Sequence, residues 1–262
     1  MPDVVYLKPE GFFNSLEMIK QADVILFPEY WQVNTLVYGL KKKIFPSINS
    51  YHLGHDKVEM TRVLQAVFPK NVPYTQIMSS QLGALEKIKE EFYFPMVAKE
   101  VRNSMGQGVY LIENELQLKS YVERNDVLYI QEKLPIDRDL RVVYVGNEVL
   151  TAYWRIAPEG CFHNNISRGG NHSFEDIPAG ALALVRNIAS ELGINHAGFD
   201  VAVVDNQYYI FEFNVMFGND VINQMNIPLR QVIYNYVLRD EGFNQPDPSN
   251  TPTPILPPPI AS

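Results

Sequence analysis

Two apolar runs, Phe199 to Val204 and Tyr208 to Phe213, meet across the pair Asp205-Asn206, and this pairing narrows the fold of the 262-residue chain more than any other feature. Asp and Asn tolerate the left-handed backbone that a two-residue hairpin loop needs, so the runs read as adjacent antiparallel strands. Phe199, Val201, Val203, Ile210, Phe211 and Phe213 mark those strands as part of a buried sheet. Into this apolar setting the chain places Asp200, Glu212 and Asn214. Glu212 and Asn214 are two apart, so their side chains leave one face, and the turn folds Asp200 back to their level. A carboxylate buried without a partner costs several kcal/mol, so the group calls for a cation. Two carboxylates and an amide oxygen are hard ligands of the kind Mg²⁺ takes, and the competing reading is ion pairing with neighbouring Arg. The sequence leaves both open.

The strands belong to a longer antiparallel texture that begins at Phe94. Pro95 to Val101 and Val109 to Ile112 flank a turn through Ser104, Gly106 and Gly108. Leu116 to Arg124 reads as a helix and Val127 to Leu134 as an apolar strand. Leu140 to Val145 and Val149 to Arg155 form a hairpin about Gly146-Asn147. A helix runs from Pro178, a residue that fits a first turn, to about Leu192, where Gly193 stops it. A final helix is expected from Val221 to Leu238. Ahead of this region lie a helix over His55 to Phe68 and a short α/β piece, with strands at Val4 to Leu7, Val24 to Phe27 and Ile44 to Ile48. A helix over Ser15 to Gln21 sits among them. Seven of the 18 prolines fall between Pro246 and Pro259, which predicts a polyproline-like or disordered tail. No internal repeat is visible.

Composition removes several function classes. Apolar residues make up 46% and charged residues 20%, ordinary values for a globular chain. With 22 Lys and Arg against 30 Asp and Glu, the formal net charge is -8, the opposite of a nucleic-acid footprint. Cys161 is the single cysteine, so no intramolecular disulfide framework exists. Charges at Asp3, Lys8, Glu10, Glu17 and Lys20 exclude a signal-peptide apolar core, and no run approaches the ~20 apolar residues of a membrane span. A cytoplasmic protein that binds neither membrane nor nucleic acid is the expectation.

Two further groupings carry chemistry. Lys99 on one strand, with Gly106 and Gly108 in the turn after it, can present backbone N–H groups and a point charge to an anion, although a glycine hairpin is commonly only a turn. A strand follows the glycines, which excludes the Rossmann and Walker patterns. Asp139, Arg141, Arg155, Asn165 and Arg168, ahead of Gly169-Gly170, supply Arg side chains suited to bidentate contact with carboxylate or phosphate. The five histidines show no metal-ligand spacing, and His196, before Ala197-Gly198, is expected to be structural.

Taken in order, these pieces resemble the ATP-grasp superfamily, and within it the RimK-like branch of glutamate and amino-acid ligases, over roughly Asp56 to Met225. Asp56-Lys57 resembles the element carrying that family's first nucleotide lysine. Lys99 with Ser104-Met105-Gly106-Gln107-Gly108 resembles the second lysine and its glycine loop. Gln131-Glu132-Lys133-Leu134 is similar to the linker that binds adenine and ribose, Asp139-Leu140-Arg141 to the D-x-R element, and Asn165 to Gly170 to N-x-x-R-G-G. Asp200, Glu212 and Asn214 match the metal ligands in type and spacing.

The resemblance implies an α+β, ATP-grasp fold of two lobes with antiparallel sheets. It divides the chain into a short α/β piece at 1–50, an ATP-grasp domain at 51–240 with lobes at about 70–133 and 134–240, and a tail at 241–262. It implies ATP and two Mg²⁺ ions, with Mn²⁺ as an alternative metal. The implied reaction joins a small-molecule or peptide carboxylate to an amino acid such as glutamate, or another amine, through an acyl phosphate. Arg168 would stabilise the developing oxyanion, Arg155 would hold a substrate carboxylate or phosphate, and Arg141 would join them in catalysis. A dipeptide or D-alanine type of ligase, a non-catalytic ATP-binding protein, and a homo-oligomeric assembly are compatible with the same residues. The region before Lys57 is short for the N-terminal domain of that family.

Overall fold

The computed structural model describes residues 4–101, 108–156 and 171–239. Residues 1–3, 102–107, 157–170 and 240–262 lie outside the described residues, and with them the candidates Ser104, Gly106, Asn165 and Arg168.

The described residues form three sheets, of which the first is small. After α1 (Leu16–Gln21), strands β1 (Val24–Leu26) and β2 (Lys43–Phe45) pair in parallel through a connection holding α2 (Tyr30–Asn34) and a π-helical turn, Thr35–Gly39. Parallel pairing requires such a crossover. Val4 to Leu7 forms no strand: Val4, Val5 and Tyr6 are exposed. β2 ends at Phe45 because Pro46 has no N–H to continue a ladder. Ser47 then caps α3 (Ile48–His55), a helix whose composition gives little periodic signal. A second helix, α4 (Lys57–Val67), begins where the Asp56 side chain accepts from the N–H groups of Val58 and Glu59 at 2.8 and 3.1 Å.

The second sheet contains β3 (Thr75–Ser79), β4 (Met96–Lys99), β5 (Val109–Ile112) and β6 (Val127–Glu132) in the order β3-β6-β4-β5, all antiparallel. Helices α5 (Ala84–Glu91) and α6 (Glu115–Arg124) cover one face, where Ile88, Leu118 and Tyr121 pack on Met96, Ala98, Leu128 and Ile130. Alternation turns Lys99 and Tyr129, opposite each other in register, to the other face.

The third sheet is built from β7 (Arg138–Val145), β8 (Glu148–Ile156), β9 (Asn171–Ser173), β10 (His196–Val204) and β11 (Gln207–Asn214), in the antiparallel order β11-β10-β7-β8-β9. Helix α7 (Ala179–Glu191) and α4 pack on one face against Val142, Phe199 and Phe213. On the opposite face Val143, Val145 and Tyr153 meet α8 (Asp220–Gln224), α9 (Leu229–Leu238) and Phe45. The single helix expected over 221–238 is therefore two. Asn226 adopts φ +53°, and Pro228 cannot donate to a continuing helix. Among the described residues, no helix is long and apolar enough to cross a membrane.

Candidate functional site

The polar residues of interest line up across the α8/α9-side face of the third sheet. Asp200 stands opposite Glu212 on β11 and opposite Arg141 on β7, and Arg141 is opposite Tyr153 on β8. Asn214 and Gly198 face each other one step along, while Asp139, Arg155 and His172 form the row on the other side. Two-residue periodicity on five antiparallel strands suffices to put these groups on one surface.

One local irregularity departs from simple alternation. The β10–β11 register shifts between Asp200 and Val201, so that Glu212 and Ile210 are paired and Phe211 is the extra residue of a bulge. Phe213 and Ile210 accordingly share the α7-side core, which alternation would have assigned to Phe213 and Phe211. The Phe211 ring instead lies 5.7 Å from Lys99 Nζ, which is also 5.1 Å from the Tyr129 ring. Thus the bulge brings an aromatic of the third sheet to the lysine of the second.

Asp200 and Arg155 are both buried, at 6% and 7% exposure. Arg155 Nε donates to Asp139 Oδ1 at 2.6 Å and its Nη2 lies 2.9 Å from Asp200 Oδ2. Burial opposes the Arg155 cation, but Asp200 and Asp139 outweigh it and hold its pKa above the ordinary value. For Asp139, burial prevails over the Arg155 and Arg141 cations and its pKa is raised. Arg141 Nε lies 2.7 Å from Asp200 Oδ1. Yet among the described residues neither atom, both fully buried, has a hydrogen-bond partner, so the N–H is not aimed at the oxygen despite the short distance. Gly198 makes this arrangement feasible, since a Cβ there would sit 2.5 Å from Arg141 Nη1 and 3.1 Å from Phe217.

The lysines complete the site. Lys57, the first residue of α4, donates to the Glu100 carbonyl at 2.8 Å. Burial lowers its pKa with the help of Lys99, against the pull of Glu212, Glu100 and Asp56, so Lys57, Lys99 and Glu212 share one electrostatic neighbourhood. Tyr129 OH and Thr61 Oγ1, 2.9 Å apart, tie α4 to the second sheet. Gly108 returns the chain at φ +75°, its carbonyl accepting from Glu100 N–H at 2.7 Å.

The acidic oxygens also fit a cation. Among the described residues Asp200 Oδ1 is a buried carboxylate oxygen that receives no hydrogen bond, and Asn214 Nδ2 donates to Glu212 Oε1 at 3.1 Å, leaving the amide oxygen for another partner. Among the described residues, no group of three or more His, Cys, Asp or Glu is placed to hold a metal ion. A metal here would use two carboxylates and one amide, a hard set suited to Mg²⁺, which keeps substrate oxygens and waters in its shell.

The model of the RimK-like ATP-grasp domain matches residues 54–237. The chain belongs to this family. A relative named probable alpha-L-glutamate ligase, from Enterobacter sp. (strain 638), is 29% identical over 194 residues, covering 69% of this chain and 64% of the relative's length. Ribosomal protein bS6--L-glutamate ligase from Salmonella paratyphi B (strain ATCC BAA-1250 / SPB7) is likewise 29% identical, with the same 69% and 64% coverage. The chain therefore spans just under two thirds of these relatives. The crystal structure of a RimK domain ATP-grasp protein from Sphaerobacter thermophilus DSM 20745 superposes with a TM-score of 0.67 at 16% identity, covering 82% of this chain and 81% of that one. The fold is thus ATP-grasp and α+β, as the motif order implies.

Within this RimK-like frame, Lys57, Lys99, Asp139, Arg141, Arg155, Asp200, Glu212 and Asn214 converge around the two sheet faces. On the linker, Gln131 shares the face of Tyr129 and Lys99, and its side chain and that of Glu132 are engaged within the second sheet. Gln131 donates to Thr75 Oγ1 at 2.8 Å and Glu132 accepts from Tyr74 N–H at 2.6 Å, while Leu134 is buried. Three residues of the site escape a reading of the sequence. Gly198 carries a usable signal, a glycine inside an apolar strand. Phe211 and Tyr129 carry none, because bulge position and the second sheet's register are not encoded in periodicity. His196 is structural: Nδ1 donates to the Val215 carbonyl at 2.9 Å and the ring stacks on Phe217.

Proposed function

We propose that this chain is a Mg-ATP-dependent carboxylate–amine ligase, acting in the cytoplasm and adding an amino acid such as glutamate to a small-molecule or peptide carboxylate. The observation that carries it is the convergence of Lys57, Lys99 and the Asp200–Glu212–Asn214 row between two antiparallel sheets. Phosphoryl transfer needs positioning and charge neutralisation more than covalent chemistry, and these are the groups that supply them. Lys57 and Lys99 would hold phosphate oxygens, with Ser104, Gly106 and Gly108 over them. The backbone of Gln131 to Leu134 would face the base. Asp200, Glu212 and Asn214 would hold two Mg²⁺ ions, or Mn²⁺ in their place, which when bound neutralise charge on the transferred phosphate. Arg168 and Asn165 would serve the acceptor side, where the acyl phosphate meets the amine. The names of the two glutamate-ligase relatives support the amino acid and admit a protein acceptor. In this reading 1–50, 51–240 and 241–262 are the functional divisions, with the nucleotide lobe at about 70–133 and the catalytic lobe at about 134–240.

The test is ADP release from Mg-ATP by the purified chain, given L-glutamate with pooled small and peptide carboxylates. Glutamate- and Mg²⁺-dependent ADP is expected. In Glu212→Gln, turnover should fall by on the order of a hundredfold or more with an unchanged melting temperature. The Gln oxygen can still accept from Asn214, so shape survives while charge is lost. Release driven by D-alanine alone would make the chain a dipeptide ligase. Nucleotide binding without ADP in any combination would make it a non-catalytic binder.

A further inference from the structure

Asp200 takes part in two ion pairs that differ in kind. With Oδ2 it meets Arg155, whose guanidinium is also gripped by Asp139 at 2.6 Å, so that cation is clamped from two sides. With Oδ1 it meets Arg141 Nε at 2.7 Å, and there no hydrogen bond forms although both atoms are buried. A contact close in distance but unaligned is held by charge alone, without the directional bond that would fix a guanidinium in place. The Arg141 guanidinium also rests against a position without a side chain, where the Gly198 Cα leaves 2.5 Å between a notional Cβ and Nη1. Arg155 is therefore built in, and Arg141 is laid against Asp200.

From this we infer that Arg141 is a stand-in cation on Asp200 Oδ1, which it gives up when a divalent metal takes that oxygen, so that metal loading and the release of Arg141 are one event. The inference rests on the metal reading of Asp200, Glu212 and Asn214 given above. A guanidinium and a divalent cation on the same buried oxygen repel each other in a medium of low effective dielectric, so the two states exclude one another. The released guanidinium is a planar donor suited to phosphate or carboxylate oxygens. Its charge then becomes available to the substrates only after the metal is in place, so the metal sets when Arg141 can meet them.

The experiment is Mn²⁺ binding followed by electron paramagnetic resonance, with and without a non-hydrolysable ATP analogue, on the full chain and its variants. Melting temperatures are recorded with and without Mn²⁺. Arg141→Met should bind Mn²⁺ about tenfold more tightly than the natural chain. It should melt lower than the natural chain without metal, and Mn²⁺ should close most of that gap. Arg141→Lys, which keeps the charge on a shorter reach, should show a smaller gain and stands in if the Met variant does not fold. In the Asp200→Asn background, adding Arg141→Met should bring no gain. Equal or weaker Mn²⁺ binding by both Arg141 variants would overturn the inference. So would a gain that persists with Asp200→Asn, since Arg141 would then act as a distant charge. Failure of the natural chain to bind Mn²⁺ even with the analogue would overturn the metal reading itself, and the inference with it.

Discussion

At the scale of single residues, Arg155 shows how buried charge is held. Its Nε donates to Asp139 and its Nη2 faces Asp200, and all three side chains are almost fully enclosed. A buried ion pair adds little when compared with an apolar pair, but removing one partner leaves the other charge without compensation. Arg155→Met should therefore cost about 3–5 kcal/mol in urea unfolding, against about 1 kcal/mol for a typical substitution. Arg155→Lys should recover only part of this, since an ammonium cannot face two carboxylates as a guanidinium does. A loss below about 1 kcal/mol for the Met variant would mean that Asp139 and Asp200 have other adequate partners. The sequence offered two readings of Asp200, a metal ligand or an Arg partner. In the structure both Asp200 oxygens face an Arg, Arg155 at Oδ2 and Arg141 at Oδ1, and under the inference above only the Arg141 contact has to yield to a metal. Residue types and strand period made the carboxylate legible. Which cation meets it depends on the register of Arg141 on the adjacent strand and of Arg155 on the strand beyond, and sequence spacing does not encode that.

At the scale of elements, the hairpin of β10 and β11 was readable because its turn is chemically explicit. Asp205 and Asn206 adopt φ +47° and +62°, the left-handed values a tight hairpin asks of both central residues. The bulge at Phe211 was not readable, since nothing in an apolar run says which residue goes unpaired. Helix starts show the same contrast. Asp56 before Lys57 is a capping signal and gives the start of α4, whereas α3 just ahead of it has weak periodicity and α5 has a glycine in place of a side-chain cap. The Asp56 cap also bears on the proposed nucleotide site, because the helix it starts carries Lys57 to the Glu100 carbonyl. Asp56→Ala should cost about 1 kcal/mol of stability. It should also raise the KM for ATP several-fold while leaving kcat less affected, as the first turn of α4 loosens around the lysine proposed to hold phosphate. Parallel urea unfolding and ADP-release kinetics separate these effects. A stability loss with an unchanged KM would place Lys57 outside nucleotide binding.

At the scale of the whole molecule, motif order points to the ATP-grasp fold, since six elements in sequence constrain a topology that none constrains alone. How the small N-terminal sheet joins the larger one was not legible, because the junction is made by aromatic packing between distant segments. His196 sits at its centre. The ring stacks on Phe217 and meets the edges of Phe27 and Phe45, from the β1 and β2 strand ends, while Nδ1 donates to the Val215 carbonyl. Burial lowers its pKa from 6.5 to about 4, against the opposing effect of that carbonyl bond. Because the folded pKa lies below the unfolded one, the unfolded chain binds the extra proton between these values. The stabilisation is therefore complete above about pH 6.5 and is lost as the pH falls toward about 4. At pH 5 the linkage amounts to about 2 kcal/mol relative to pH 7. His196→Asn keeps a donor for the Val215 carbonyl and removes the titration. It should be less stable than the natural chain at pH 7, where the ring's packing is lost. Between pH 7 and pH 5, however, it should lose about 2 kcal/mol less in urea unfolding than the natural chain does. Equal losses in the two proteins would show that His196 does not govern the acid sensitivity of the junction.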